Sequence, residues 1–203
     1  RVWGVNTADQ MWTRPGVSGA WQQIDGALKQ ISVGADGRVW GCNSADQIWT
    51  RPGVNGAWQQ IDGALKDIDV GADGRVWGVN SADQIWTRPG VSGAWQQIDG
   101  ALKQIDVGAD GRVWGVNSAD QIWTRPGVSG AWQQIDGALK QISVGTDGRV
   151  WGVNSADQIW TRPGVSGAWQ QIDGALKNID VGADGRVWGC NSADQIWTRA
   201  GVS

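Results

Sequence analysis

The chain has 203 residues and a net charge of −3, with 17 Trp and 32 Gly but no Phe, Tyr or His. Every acidic residue is Asp, interspersed with Lys and Arg, which excludes the basic stripe of a nucleic-acid binder and a polybasic membrane patch. No apolar stretch approaches the roughly 18 residues of a transmembrane helix, so no membrane insertion is expected.

Read from its start, the chain repeats itself. RVWG begins at Arg1, Arg38, Arg75, Arg112, Arg149 and Arg186, a fixed step of 37 residues. Five units are complete and the sixth, from Arg186, is partial. In the unit that starts at Arg75, Arg75–Asn80 is apolar and β-rich, and Ser81-Ala82-Asp83 reads as a turn. Gln84–Arg88 alternates with β-branched and aromatic residues, and Pro89–Gly93 breaks the chain. Trp95–Asp99 is a third strand ended by Gly100. Leu102–Val107 is a fourth, closed by the hairpin signal Gly108-Ala109-Asp110-Gly111. No window free of Gly and Pro carries a helical period. Three Trp per unit supply an apolar core, each contributing up to about 4–6 kcal/mol when buried.

Four strands per short repeat is the composition of a propeller blade. The predicted fold is therefore all-β, a six-bladed β-propeller of four-stranded blades in one domain over residues 1–203. By analogy with WD-type propellers, Leu102–Val107 is the inner strand, followed outward by Arg112–Asn117, Gln121–Arg125 and Trp132–Asp136. Six full units exceed the chain by 19 residues, equivalent to an outer plus an inner strand. Placed before Arg1, such a segment closes the ring; it is cleaved, outside this sequence, or supplied by a second chain. A five-bladed ring with one surplus hairpin is the competing arrangement. Cys42 and Cys190 share one repeat position, and six blades keep them apart, which predicts free thiols or an interchain bond.

The run W-x-x-I-x-G-x-L-K-x-I-x-V-G-x-D-G-x-V-W-G-V-N-x-x-D-x-I-W-x-R stands here as Trp95 through Arg125 and recurs in every complete unit. It resembles the tectonin repeat of fish-egg lectins and of slime-mould and fungal tectonins, with Trp in I-W-T-R where that family often has Tyr. The resemblance implies a lectin for N-acetylglucosamine, methylated sugars or microbial surface polysaccharide, secreted or extracellular, with oligomers possible. A non-enzymatic protein-interaction scaffold is the alternative it leaves open.

Catalysis finds no support: no His or Glu is present for acid–base work, no cofactor motif appears, and zinc lacks ligands. Asp69, Asp106 and Asp180 suggest a Ca²⁺ ring, but Ser32 and Ser143 interrupt the series, so no metal is expected. Sugar recognition needs a flat apolar ring and planar polar groups aimed at hydroxyls. Trp86 and Arg88, two apart on one strand, share a face, and Asn80 and Asp83 sit in the adjoining turn. The candidate sugar-binding residues are therefore Asn43, Asp46, Trp49 and Arg51; Asn80, Asp83, Trp86 and Arg88; Asn117, Asp120, Trp123 and Arg125; and Asn154, Asp157, Trp160 and Arg162. Near-identical blades suit one small ligand presented many times, where avidity adds roughly 10²–10⁴.

Overall fold

A computed structural model describes residues 1–202. The chain resolves into two compact units, Arg1–Ala101 and the part from Leu102 onward.

In the first unit, β1 (Val2–Val5), β2 (Gln10–Arg14) and β3 (Gln22–Ala27) form one antiparallel sheet. The second sheet holds β4 (Gln30–Val33), β5 (Val39–Cys42), β6 (Gln47–Arg51) and β7 (Gln59–Ala64) in that order. The third holds β8 (Asp67–Val70), β9 (Val76–Val79), β10 (Gln84–Arg88) and β11 (Gln96–Ala101).

The second unit repeats this plan. Its sheets are β12 (Gln104–Val107), β13 (Val113–Val116), β14 (Gln121–Arg125) and β15 (Gln133–Ala138); then β16 (Gln141–Val144), β17 (Val150–Val153), β18 (Gln158–Arg162) and β19 (Gln170–Ala175); then β20 (Asn178–Val181), β21 (Val187–Cys190) and β22 (Ile196–Arg199). Six sheets, three in each unit, give the chain the six blades of a β-propeller, as the repeat count predicts. The partial last repeat contributes β21 and β22 to a sheet of its own, so it is a blade and not a surplus hairpin.

The order within a blade is the one expected from sequence. Inside each unit the strands that follow the Leu-Lys dipeptide face one another across successive blades, β4 against β8 and β16 against β20. Their backbones are joined by side chains. Gln141 Nε2 donates to Ile179 O at 2.7 Å while its Oε1 accepts from Ile179 N at 2.8 Å, so a carboxamide stands in for a strand edge. Burial falls outward: all four residues of β9 are buried, whereas β11 buries only Ile98. The middle strands are covered on both faces, and the Val-Trp-Gly-Val sequence of β9 reads accordingly as a continuous apolar run. Gly78 is required there, because a Cβ would lie 2.5 Å from Leu65 Cδ1 and 2.8 Å from Asp67 O.

The strand boundaries differ from expectation: β9 covers Val76–Val79 where the sequence predicts Arg75–Asn80, β12 begins at Gln104 and not at Leu102, and β11 begins at Gln96 and not at Trp95. The outer strand β11 continues through Gly100 to Ala101 instead of ending at Gly100. Its register against β10 shifts between Gln84 and Ile85, with Ile85 opposite Ile98 and Gln84 opposite Ala101. Gly100, at φ +100°, absorbs the extra residues as a bulge.

Candidate functional site

The boundary between the second and third blades lies wholly within the first unit, and that between the fourth and fifth lies within the second. These boundaries place the candidate residues.

At one end of each blade stands the Asn-Ser-Ala-Asp turn, which is Asn6-Thr7-Ala8-Asp9 in the first. Asn80 Oδ1 accepts from Ala82 N at 3.0 Å and Gln84 N at 2.9 Å, while Nδ2 donates to Gln84 Oε1 at 2.8 Å. Asn43, Asn117 and Asn154 make the same three bonds in their own turns. Asp83 sits at φ +61° and donates its N–H to Asn80 O at 3.0 Å, the left-handed corner a short polar side chain tolerates. Its carboxylate holds Lys66. Asp46 takes Lys29 on one oxygen and Ser81 of the next blade on the other, and Asp120 is held likewise by Lys103 and Ser155. Asp157 receives Lys140, and Ser192 at 2.8 Å. The lysine hydrogen bond first, and the serine second, hold Asp46, Asp120 and Asp157 below the usual carboxylate range.

Along β10 the Trp and Arg do share a face. Trp86 is half-buried, lies opposite Gly78 on one side and Gln97 on the other, and packs on the core of the second blade. Trp49 packs in the same way on the first blade and Trp160 on the fourth; Trp123 is equally half-buried. Arg88 is only 3% exposed. Its Nε donates to Gly90 O at 2.7 Å, Nη1 to Asp62 Oδ1 at 2.8 Å and Nη2 to Val91 O at 2.8 Å, and its guanidinium lies 5.1 Å from the Trp95 ring centroid. Arg162 repeats this arrangement with Gly164, Asp136, Val165 and Trp169. Arg51 holds Asp25 and Val54 O against Trp58, and Arg125 holds Gly127 O and Val128 O against Trp132. Arg51, Arg88 and Arg162 thereby clasp their Pro-Gly loops to the preceding blade. The structure thus brings Trp86 and Arg88 together and leaves Asn80 and Asp83 at the opposite end of the strand.

At the Arg88 end a cavity of about 220 Å³ opens between the blades. The second blade lines it with Asp36, Arg38 and Trp40, and the third with Val70, Gly74 and the loop Pro89-Gly90-Val91. Its counterpart in the second unit, about 190 Å³, is lined by the residues 74 positions on, Asp110, Arg112 and Trp114 facing Val144, Gly148 and Pro163-Gly164-Val165. Asp36 Oδ1 accepts from Arg38 N at 2.9 Å, which shapes the turn. Among the described residues the Arg38 guanidinium has no hydrogen-bond or ion-pair partner. Sequence reasoning passed over Asp36 and Arg38 because Asp-Gly is a sufficient turn signal, and over Pro89 and Val91 because Pro-Gly reads as a break.

Other chemistry finds little here. Among the described residues no three His, Cys, Asp or Glu side chains gather to hold a metal. Cys42 and Cys190 are free thiols, as six blades predict, and burial pushes both above the ordinary thiol range, away from the nucleophilic thiolate.

No curated protein matches the chain. Among solved structures it is similar to a streptogramin B lyase, at TM-score 0.67 and 18% identity over 97% of this chain and 77% of that one. It is also similar to YCF48 bound to D1 peptide, at TM-score 0.64 and 15% identity over 98% and 75% of the two chains. Human WBSCR16 follows at TM-score 0.62 and 7% identity over 98% and 72%. At such identities the likeness is one of fold alone. The family model of the tectonin domain, by contrast, matches residues 1–57 and 54–203. That match spans the whole chain, and with its six blades the chain belongs to the tectonin family.

Proposed function

We propose that this tectonin protein is a non-enzymatic, multivalent carbohydrate-binding protein whose sites lie on the boundaries between blades. The observation that carries this reading is the recurrence of one cavity, with the same eight lining residues, in both units. A volume near 200 Å³ suits a single sugar ring. Asp36 offers a carboxylate that accepts from hydroxyls, Arg38 offers unspent donors, and Pro89, Val70 and Val91 offer an apolar wall for C–H faces. The half-buried Trp86 and Trp160 extend the apolar surface along the same strands, while Arg88 and Arg162 hold the loops that form the wall. The Asn43–Asp46, Asn80–Asp83, Asn117–Asp120 and Asn154–Asp157 turns lie at the far end of the strands, away from the cavities. Weak single sites repeated around the chain gain their strength from simultaneous engagement.

A glycan array followed by calorimetry on the full chain tests this. The double variant Arg38→Gln, Arg112→Gln loses the charge-assisted donors of two sites, each worth about 1.5–3 kcal/mol. Stoichiometry is expected to fall by those two sites, with the melting temperature little changed, since Arg112 gives up only a long bond of 3.5 Å to Thr124 Oγ1. A silent array together with specific protein partners recovered on the same chain would replace the lectin with an interaction scaffold.

A further inference from the structure

The loop between β6 and β7 differs from its sisters at one residue. Where the others carry Ser18, Ser92, Ser129 and Ser166 before a glycine, this one carries Asn55 before Gly56. The glycine is imposed by the loop: Gly56 has φ +120°, and a Cβ there would lie 3.0 Å from Pro52 Cδ. Asn55 is therefore followed by a glycine that the loop's own geometry fixes, and both residues are exposed.

The other asparagines are held. Asn6, Asn43, Asn80, Asn117, Asn154 and Asn191 each accept two backbone N–H groups on Oδ1 and donate Nδ2 to a glutamine. Asn178 Oδ1 accepts from Cys190 N at 3.1 Å. Among the described asparagines, only the Asn55 carboxamide is without a hydrogen bond, and the Gly56 N–H has no acceptor.

We propose that Asn55 is a site of spontaneous deamidation and isoaspartate formation. Asparagine is one of the thermolabile residues, and glycine leaves the approach to its backbone nitrogen unobstructed. The Gly56 nitrogen attacks Asn55 Cγ, the new N–C bond closes a succinimide, and the carboxamide nitrogen leaves as ammonia carrying the proton lost from the Gly56 nitrogen. Water then opens the ring at either carbonyl, giving aspartate or isoaspartate. Both products add one negative charge to the loop that supplies Val54 O to Arg51, and isoaspartate also lengthens the main chain by a methylene.

The test ages the full folded chain in mildly alkaline buffer and maps its peptides by mass spectrometry with isoaspartyl-specific methyl labelling. The peptide holding Asn55 is expected to show the NH₂-to-OH mass increment and to take up label, while the peptides holding Asn80, Asn117 and Asn154 stay unchanged. The acidic species seen on ion exchange are expected to vanish in Asn55→Ser, the sister-loop residue. An Asn55 peptide still unmodified when a free peptide of the same loop sequence has half converted would overturn the proposal. So would modification spread equally over the turn asparagines.

Discussion

The two ends of a blade use the same kinds of polar residue for opposite purposes. At the Asn-Ser-Ala-Asp end, Asn80 and Asp83 are bonded within the turn and to Lys66, and Asp46 is spent on Lys29 and Ser81. At the Asp-Gly end, Asp36 closes its turn with one oxygen while Arg38 is left without a partner over a cavity. At that same end, Arg88 places its donors on Asp62, Gly90 and Val91. A polar residue spent inside the fold stabilises it, and one left over beside a concave surface is available to a ligand.

The largest effect that could break this contrast comes from Arg88→Ala. Removing it strands two loop carbonyls and unstacks Trp95, so a loss of about 3 kcal/mol is expected, a fall in melting temperature of roughly 6–12 °C. A variant that melts with the parent would return Arg88 to the list of ligand contacts. Asn80→Ala comes next, since it leaves the Ala82 and Gln84 N–H groups without their acceptor; about 1–2 kcal/mol of destabilisation is expected in urea titrations.

A smaller effect follows from acid. Asp46, Asp120 and Asp157 have folded pKa values below the unfolded value of about 3.9. Their contribution is full above that unfolded value and is lost as pH falls through the folded ones. Melting temperature is thus expected to be flat with respect to these groups from neutral pH to about 5 and to fall below about 4. Asp46→Asn should cost about 1 kcal/mol near neutrality, with the gap to the parent closing as the medium becomes acidic. A gap that widens would refute the assignment. The smallest stability change belongs to Arg38→Gln, within about 0.5 kcal/mol by thermal melts, because nothing in the fold rests on its guanidinium.

Much of the blade was readable beforehand. The step between successive RVWG motifs marks the repeat, the alternation in Gln84–Arg88 marks a strand, and Asp110-Gly111 marks the hairpin that sets strand order. Placing Trp86 and Arg88 on one face needed only the two-residue period of a strand. That the face is covered by another blade could not be read from it. Arg88 meets Asp62, which lies 26 residues earlier on a different blade's outer strand. The cavity escaped notice for a similar reason: its two walls, Asp36–Trp40 and Pro89–Val91, are each unremarkable turn or loop sequence and become a site only when they face one another.

By itself, the sequence determined the repeat, the all-β blades, their strand order and the Asn–Asp turns, because these rest on local propensity, two-residue periodicity and hydrogen bonds within a few residues. Which polar groups are consumed and which remain for a ligand was decided only by the tertiary structure. Burial of Arg88 and the unspent guanidinium of Arg38 depend on the neighbouring blade, and no local pattern carries information about what packs against it.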